Sequence, residues 1–354
     1  MKTFLITGGA GFVGSHLAIQ FKRDNENARV IALDNLKRRG SELNIVRLKE
    51  HGVEFIHGDV RFTEDLNVAK KIDCLIECSA EPSVLAGYND SPEYVINTNL
   101  IGQLNCLELV RQHGSDFIYL STSRVYPFKI INALNIIEGT KRYEFLDVQK
   151  TPGVSSIGLT EEFPLNDVRS LYGATKLAGE LIMQEYLEMY DLKGIINRCG
   201  VLTGPWQMGK VDQGVVVLWV ARHIFGGSLS YIGYNGSGKQ VRDILHVDDL
   251  YRLVKKQLDC IDKLSGQIFN VGGGRAVSVS LQELTEICEQ ATGNSLDIQP
   301  VLDTRPADIP IYLSDYSKVQ SLTGWSPLIT PSEIIAEIAA WIHNNSVQLK
   351  PILT

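Results

Sequence analysis

The residues best suited to chemistry are a tyrosine and a lysine four positions apart, Tyr172 and Lys176. They lie in the segment SLYGATKLAGELIMQEYLEMY, whose apolar spacing predicts a helix beginning near Ser170. Residues four apart on a helix project from one face, so we expect the phenol and the ammonium to be neighbours. A tyrosine has a reference pKa of about 10 and acts as a base at neutral pH only where a positive charge favours the phenolate. Lys176 supplies that charge, which predicts removal of a proton from a substrate hydroxyl.

A hydroxyl cluster after a strand-like run supplies a third candidate. Thr122 and Ser123 follow the apolar run 117–120. We expect Thr122 to hydrogen-bond the same substrate oxygen as Tyr172 and so to shorten the path of the proton. The predicted catalytic residues are therefore Thr122, Tyr172 and Lys176.

The amino terminus, MKTFLITGGAGFVGSH, places a glycine-rich turn between an apolar run and a helix-like segment. Read from Gly9, the spacing is G-x-G-x-x-G, which suits a tight turn, a close approach of the backbone to a diphosphate, and close packing of helix on strand. The free N–H groups and the positive end of the following helix would face a dinucleotide. The cofactor-binding residues predicted in this turn are Gly8, Gly11, Phe12, Val13 and Gly14.

Asp34 ends a second apolar run, 30–33, twenty residues after Gly14. At that position a carboxylate can accept hydrogen bonds from both ribose hydroxyls of the adenosine half of a dinucleotide. The carboxylate would also repel the 2′-phosphate of NADP, although residues 37–39 are basic. The glycine turn and Asp34 together predict NAD as the cofactor.

The elements that would position these residues alternate along the amino-terminal half of the chain. Apolar runs typical of buried strands recur, with helix-compatible segments between most of them, at 4–6, 30–33, 53–56, 74–78 and 117–120. This alternation predicts βαβ units and an α/β fold with a doubly wound, Rossmann-type parallel sheet. Ligands bind outside the carboxyl ends of such strands.

Further cofactor-binding residues are expected at and beside these strand ends. They are Asn35, Asp59, Val60, Ser79, Ala80, Glu81 and Asn99. We expect Asp59 at the adenine amino group and residues 79–81 along the nicotinamide half.

The later chain is less regular and predicts a second, smaller domain. Residues 127–168 form a long irregular stretch rich in turn residues. We expect residues 1–200 to form the cofactor domain, with the chain returning to it at about 241–275. Residues 201–240 and 276–354 are expected to form a mixed α/β substrate domain.

Composition narrows the possible partners. The chain has 354 residues and a formal net charge of -7, which disfavours an electrostatic grip on nucleic acid or an anionic membrane. Its six cysteines show no paired metal-ligand spacing, so we expect reduced core thiols and no metal site. The first apolar run is broken by glycines, and no apolar run reaches about eighteen residues, so we expect neither a signal peptide nor a membrane-spanning helix. A small-molecule ligand and a cytoplasmic location are the expectations.

These motifs together resemble the extended short-chain dehydrogenase/reductase family over essentially the whole chain. The matching pieces are TGGAGFVG, Asp34, STSRVY from Ser121 to Tyr126, and YGATK from Tyr172. Nucleotide-sugar members of the family carry two later runs, present here as R-D-x-x-H-V-D-D from Arg242 and R-P-A-D from Arg305. The resemblance implies that both arginines grip the diphosphate of a nucleotide sugar, to which Arg offers a bidentate contact. The alternative for Arg242 is a structural pairing with Asp243 or Asp248.

Departures from the family pattern indicate which members the chain resembles. Sugar-nucleotide 4,6-dehydratases carry an Asp-Glu pair directly after the catalytic Thr, and this chain has Ser123 and Arg124 there. Related decarboxylases keep a Glu at the position of Arg124, and common 4-epimerases have an Asn at the position of Val201. The remaining resemblance is to the CDP-paratose 2-epimerase (CDP-tyvelose epimerase) group, through STSRVY, the insert after Tyr126, and RCGVLTGPWQMGKVDQG at 198–214.

The resemblance implies inversion at C2 of a CDP-sugar with NAD bound throughout. Tyr172 would remove the proton of a sugar hydroxyl while hydride leaves the same carbon, and the transient keto sugar would turn and receive hydride on its other face. The substrate-binding residues implied in this way are Ser123, Arg124, Trp206, Gln207, Asp212, Gln213, Arg242 and Arg305.

Several other interpretations stay open. A UDP-sugar 4-epimerase or a keto-sugar reductase would use the same catalytic residues, and the reductase would consume its cofactor. A non-catalytic redox sensor would keep the dinucleotide turn without needing the Tyr-Lys pair. The family also implies a homodimer or higher homo-oligomer, formed through the helix near 92–112 and the helix after Tyr172. The expected apolar stripe of the latter helix, which could instead be buried within one subunit, runs through Leu177, Leu181, Met183 and Leu187.

Overall fold

The computed structural model describes residues 1–209 and 213–354. Its strands, in chain order, are β1 (Thr3–Thr7), β2 (Arg29–Asp34), β3 (Glu54–His57), β4 (Cys74–Glu77), β5 (Asp116–Thr122), β6 (Ile136–Glu138), β7 (Tyr143–Phe145), β8 (Gly194–Cys199), β9 (Val201–Thr203), β10 (Leu229–Ile232), β11 (Val241–His246), β12 (Ile268–Val271), β13 (Ser278–Ser280), β14 (Ile298–Val301) and β15 (Ile311–Tyr312). Its α-helices are α1 (Phe12–Asp24), α2 (Leu43–Glu50), α3 (Glu93–Ile96), α4 (Gly102–His113), α5 (Phe128–Asn132), α6 (Leu171–Met189), α7 (Val215–Phe225), α8 (Val247–Asp259), α9 (Ile261–Leu264), α10 (Leu281–Thr292), α11 (Ser317–Thr323), α12 (Pro331–Asn344) and α13 (Ser346–Leu353).

The chain forms two compact units, and the first contains Met1–Val125, Ser170–Arg198 and Leu250–Phe269. Its centre is a seven-stranded sheet in the order β12-β8-β5-β4-β1-β2-β3. The pairings that run from β5 through β4, β1 and β2 to β3 are parallel. All five predicted apolar runs are strands of this sheet, and the predicted doubly wound α/β fold is confirmed.

One large apolar cluster of the first unit lies against one face of this sheet. Leu5, Leu75 and Phe117 are paired in register on three neighbouring strands and belong to one buried cluster. Helices α4 and α6 pack on this face and on each other, and α6 contributes Met183 and Leu187 to the cluster. A five-residue π-helical segment, Asn97–Ile101, joins α3 to α4.

Helix α6 begins where the sequence predicts, but its buried face differs from the predicted stripe. The hydroxyl oxygen of Ser170 accepts a hydrogen bond from the Gly173 N–H at 3.2 Å and caps the helix. The buried residues of α6 are Gly173, Thr175, Lys176, Gly179, Glu180, Met183 and Leu187. Leu181, a member of the expected apolar stripe, is 57% exposed, so it is not buried within the subunit. Polar side chains with buried partners occupy that face instead, and the exposure of Leu181 is compatible with the expected homodimer contact.

A buried ion pair attaches α6 to the sheet. Nη2 of Arg198, on β8, lies 2.7 Å from Oε2 of Glu180, and Nε lies 3.0 Å from the same oxygen. The hydroxyl of Ser121, on β5, donates to the other carboxylate oxygen. Arg198 and Glu180 are both almost completely inaccessible to solvent. The helix that carries Tyr172 and Lys176 is therefore held to two strands by charge-assisted hydrogen bonds.

The second unit contains Tyr126–Arg169, Cys199–Asp249 and Asn270–Thr354. Its main sheet has the order β13-β11-β15, with β9 also paired to β11. A parallel pair, β10 and β14, and an antiparallel hairpin, β6 and β7, complete its strands among the described residues. Helices α7, α10 and α12 pack together. The unit is mixed α/β, as predicted, but it is not smaller than the first unit, as we expected it to be.

The predicted boundaries differ from these units in two places. Residues 127–168 belong to the second unit and include α5 and the β6–β7 hairpin, where we expected an irregular stretch in the first domain. The hairpin is held by partners distant in sequence, since the Tyr143 N–H donates to the Lys239 carbonyl at 3.0 Å. Of the expected return at 241–275, only Leu250–Phe269 lies in the first unit, because β11 pairs with β9, β13 and β15 in the second.

Two further expectations concerned the state of the cysteines and the absence of a membrane-spanning helix. All six cysteines are thiols and not disulfides, and burial raises the pKa of the Cys74 and Cys106 thiols. Cys260 is exposed, so it is not a core thiol. Within 1–209 and 213–354, none of the helices combines the length and the apolar character needed to cross a bilayer.

Breaking the buried ion pair between Arg198 and Glu180 should strongly destabilise the protein. We expect Arg198→Met to lower the free energy of unfolding by about 3–5 kcal/mol, because the Glu180 carboxylate is then buried without its counterion. Urea unfolding measures this loss. The matched control is Arg111→Met at the exposed Arg111–Glu108 pair, which should leave the urea midpoint nearly unchanged. An equal loss in both variants would contradict a special role of the buried pair.

Candidate active site

The three predicted catalytic residues all lie in the first unit. Tyr172, half-buried, is in the first turn of α6, and Lys176 is buried one turn later. The Lys176 ammonium lies 4.1 Å from the centre of the Tyr119 ring, and the Tyr119 hydroxyl donates to the Lys176 carbonyl at 3.3 Å. A cation over an aromatic face is stabilised by the ring quadrupole. Lys176 is thus held in place at both its backbone and its side chain.

Thr122 ends β5, and α6 packs on the short turn that follows it, Ser123–Val125. The Thr122 hydroxyl oxygen accepts a hydrogen bond from the Arg124 N–H at 3.1 Å. Its own proton can still be donated to a substrate oxygen. Ser123 and Arg124, the predicted substrate-binding residues of this turn, are both half-buried.

The glycine turn connects β1 to α1 as predicted. Gly8 has a φ of 63°, and a Cβ there would lie 2.8 Å from the Cys78 carbonyl. A Cβ at Gly14 would lie 2.1 Å from the Gly8 carbonyl oxygen, so the helix and the turn approach each other closely. Gly11 is the N-cap of α1, and its side-chain position meets only the Gly8 backbone. No described side chain caps α1, which leaves the first N–H groups, at Phe12 and Val13, suited to a diphosphate.

Asp34 lies beside this turn at the end of β2. One carboxylate oxygen accepts hydrogen bonds from the Ala10 N–H at 3.1 Å and the Gly11 N–H at 3.2 Å, and the other from the Leu36 N–H at 2.8 Å. Burial raises the pKa of Asp34, and these hydrogen bonds oppose the rise. Asp34 therefore shapes the turn in addition to its expected contact with ribose. The glycines, the uncapped helix and this carboxylate fit an NAD molecule.

Asp59 and its neighbours form a compact polar group at the end of β3. The Asn35 amide donates to the Asp59 carboxylate at 2.8 Å, and the Arg61 guanidinium donates to it at 2.7 Å. Partial burial would raise the pKa of Asp59, but the hydrogen bonds from Arg61 and Asn35 prevail and lower it to about 2. The adjacent Val60 is buried, and its carbonyl accepts from the Asn105 amide at 2.8 Å.

The residues predicted along the nicotinamide half follow β4. The Ser79 hydroxyl donates to the Thr7 hydroxyl at 3.0 Å, and Ala80 is partly exposed. Asn99, fully buried in the π-helical segment, exchanges two hydrogen bonds with the Glu81 backbone at 2.7 and 3.0 Å. The structure thus brings Asn99 and Glu81 together, a pairing that sequence spacing does not reveal.

The two arginine motifs of the second unit meet through one ion pair. Nη2 of Arg242 lies 2.9 Å from the Asp308 carboxylate and 2.7 Å from the Ile309 carbonyl oxygen. Asp308 belongs to the R-P-A-D run, and its N–H donates to the Arg305 carbonyl at 3.3 Å. The alternative pairing of Arg242 with Asp243 was wrong. The Asp243 carboxylate is buried and accepts hydrogen bonds from the backbone N–H groups of Gly274 and Ser314. Arg305 is partly exposed.

The other predicted substrate-binding residues lie near β9. The Trp206 ring is tilted on the Trp341 ring at 5.8 Å between centres and is partly exposed. The side-chain amide of Gln207 accepts from the Thr203 hydroxyl at 3.0 Å and donates to the Leu202 carbonyl at 2.9 Å, which gives it a structural role in this loop. Gln213 is half-buried, and Asp212 lies outside the described residues.

Sequence reasoning missed one buried charged residue close to the candidate catalytic residues. Glu77 ends β4 and is completely inaccessible to solvent. Its position within the apolar run CLIEC, where a carboxyl group is out of place, is the signal that could have identified it.

Comparison with known proteins places the chain in a family. The model of the NAD dependent epimerase/dehydratase family matches residues 4–272. Over 345 residues the chain is 31% identical to the CDP-paratose 2-epimerase of Salmonella typhi, covering 95% of this chain and 98% of that protein.

Solved structures of similar fold point the same way. A double mutant of dTDP-glucose 4,6-dehydratase from Streptomyces venezuelae, with NAD bound, is 26% identical, with a TM-score of 0.79 and 99% coverage of each chain. The UDP-glucose 4-epimerase of Thermus thermophilus in complex with NAD is 26% identical, with a TM-score of 0.75 and coverage of 96% of this chain and 99% of that one. The predicted family resemblance is confirmed, and so is NAD as the family's cofactor. The chain belongs to the NAD dependent epimerase/dehydratase family of enzymes.

Proposed function

We propose that this enzyme inverts C2 of a CDP-sugar, in the manner of a CDP-paratose to CDP-tyvelose conversion, and that NAD stays bound through the cycle. The observation that carries the proposal is the turn after Thr122. Ser123 and Arg124 stand there, so the acid-base pair that elimination of water from a sugar requires is absent from that turn. The similarity to the CDP-paratose 2-epimerase of Salmonella typhi supports the choice of sugar and base.

The proposed chemistry assigns one task to each catalytic residue. Tyr172, as phenolate, removes the proton of the sugar hydroxyl, and Thr122 donates a hydrogen bond to the same oxygen. Lys176, held over Tyr119, supplies the positive charge that favours the phenolate. When bound, NAD supplies a hydride acceptor and then a hydride donor at the same carbon. After the keto sugar has turned, Tyr172 returns the proton to the oxygen.

A UDP-sugar 4-epimerase is the second candidate. Relatives with that activity include the UDP-glucose 4-epimerase of Thermus thermophilus. The 4-epimerase would use Thr122, Tyr172 and Lys176 identically, so the sugar pocket decides between the two. Val201, in place of the Asn of common 4-epimerases, favours the CDP-sugar.

Replacing the proposed base, Tyr172, should stop the reaction without preventing the nucleotide sugar from binding. We expect Tyr172→Phe to lower kcat by about 100-fold or more while nucleotide-sugar affinity changes little, since only the ionisable oxygen is lost. Isothermal titration and steady-state rates measure the two effects. Glu188→Gln, an exposed change on the same helix and outside the expected apolar stripe, serves as the control. Retention of more than about a tenth of the activity in Tyr172→Phe would remove Tyr172 from the base role.

The position and the route of inversion can be read in one experiment. The protein is incubated with CDP-, UDP-, GDP- and dTDP-sugars in deuterated water, and the product stereochemistry is followed by NMR. We expect inversion at C2 of a CDP-sugar without carbon-bound deuterium, because the same hydride returns to the same carbon. Deuterium on carbon would indicate an enolisation route. Conversion of UDP-glucose to UDP-galactose faster than any change at C2 would establish the second candidate instead.

The arginine motifs should anchor the diphosphate. Arg242 uses part of its guanidinium on Asp308 and the backbone, and we propose that its other N–H groups and Arg305 bind phosphate oxygens. Arg305→Ala and Arg242→Ala should each weaken nucleotide-sugar binding by about 1.5–3 kcal/mol. Calorimetry with CDP and with the CDP-sugar measures this. Asp308→Asn removes the charge of Arg242's partner and should cost less affinity than Arg242→Ala. Unchanged affinity in both arginine variants would place the diphosphate elsewhere.

A further inference from the structure

Glu77 occupies an unusual position in the seven-stranded sheet. It is paired in register with Thr7 of β1 on one side and Tyr119 of β5 on the other. Side chains in register on neighbouring strands project to the same face. Two residues earlier, Leu5, Leu75 and Phe117 form part of the apolar cluster under α4 and α6. The carboxyl group of Glu77 therefore projects into this apolar layer.

Neither carboxyl oxygen of Glu77 has a hydrogen-bond partner among the described residues. A buried charge without a partner is costly, so such a group stays neutral or is compensated by a nearby charge. Glu180, the buried carboxylate of α6, is already bound by Arg198. Among the described residues, Glu77 has no comparable arginine within hydrogen-bonding distance, so its carboxyl group is either neutral or compensated by a different cation.

Lys176 is the cation on this face. Its ammonium lies over the ring of Tyr119, the residue that pairs in register with Glu77. Burial raises the pKa of Glu77 to about 7, and the charge of Lys176 opposes the rise. The other titratable groups around this site are Cys106 of α4, Tyr119 of β5, and Tyr172 and Glu180 of α6, whose charges also act on Tyr119. Burial, followed by the charge of Glu77, raises the pKa of both Cys106 and Tyr119.

We propose that Glu77 is a positioning residue for Lys176, and that its carboxylate holds the ammonium beside the Tyr119 ring, where it can act on Tyr172. The proposal rests on the roles assigned above to Tyr172 and Lys176. Protonation of Glu77 removes the counterion of Lys176 and loosens the ammonium. The rate should therefore rise with pH as Glu77 ionises.

The ionisation of Glu77 should also affect the stability of the protein, which should fall with pH where the rate rises. The folded protein keeps the Glu77 proton at pH values where the unfolded chain has released it, because the pKa is raised on folding. The contribution of Glu77 to stability therefore falls as pH rises from about 4.5 to about 7. Glu77→Gln should remove this component of the pH dependence.

Carboxyl ¹³C NMR of glutamate-labelled holoprotein tests the pair without any sugar. The Glu77 resonance is identified by its loss from the glutamate-labelled spectrum in Glu77→Gln, or in Glu77→Asp if the first variant does not fold. In Lys176→Met its apparent pKa should rise further, because the opposing charge is gone. Lys255→Met, at an exposed lysine of α8, is the matched control and should leave it unchanged. A Glu77 that titrates as an ordinary glutamate, or one indifferent to Lys176→Met, would overturn the proposal.

Turnover supplies the second readout, with whichever nucleotide sugar proves to be the substrate. Glu77→Gln should lower kcat about tenfold at pH 8 with KM within about twofold, and should abolish the limb of the pH profile near neutrality. Glu108→Gln, at an exposed pair of α4, should keep the wild-type profile. A lower kcat with the limb intact would assign Glu77 a merely structural role. If no nucleotide sugar is turned over, the proposed function fails. The NMR titration still tests whether Glu77 and Lys176 interact.

Discussion

The contact between Arg198 and Glu180 is the interaction on which the proposed chemistry depends most. Helix α6 has to lie close to the sheet, because a Cβ at Gly179 would come within 2.7 Å of the Tyr119 hydroxyl and 2.8 Å of the Gln103 side chain. At that separation an arginine and a glutamate can face each other out of water with their hydrogen bonds made. Because the helix is fixed in this way, the residues at its start are also fixed in position. Tyr172 and Lys176 need little reorganisation before reaction, which is what a preorganised site requires.

Much of this arrangement could be predicted because its signals are local. The strands of the first unit follow from short apolar runs, and the start of α6 follows from a serine cap. The glycine turn and Asp34 follow from a spacing that only a few backbone conformations satisfy. The roles assigned to individual residues stay proposals, but their placement on elements could be deduced from neighbours in sequence.

The parts that escaped prediction depend on partners far apart in the chain. Leu181 has the spacing of a core residue but is exposed. Lys176 and Glu180 are buried on α6 instead, because each has a partner on the sheet. These partners are the Tyr119 ring and the Arg198 guanidinium. The hairpin after Tyr126 has weak local signals and is stabilised by contacts about a hundred residues away. Similarly, the two arginine runs are recognisable separately, but only the fold joins Arg242 to Asp308.

The order in which the sheet is assembled has a consequence for synthesis. Met1–Val125 supplies the contiguous strands β5 to β3, but the neighbour of β5 on its other side, β8, begins at Gly194. A ribosome adds about 5–20 residues per second, so β5 remains an open edge for roughly four to fourteen seconds after it emerges. Open edges invite pairing with other chains. A fragment cut at Val125 would keep that edge permanently, whereas one extending through Val271 would contain all seven strands.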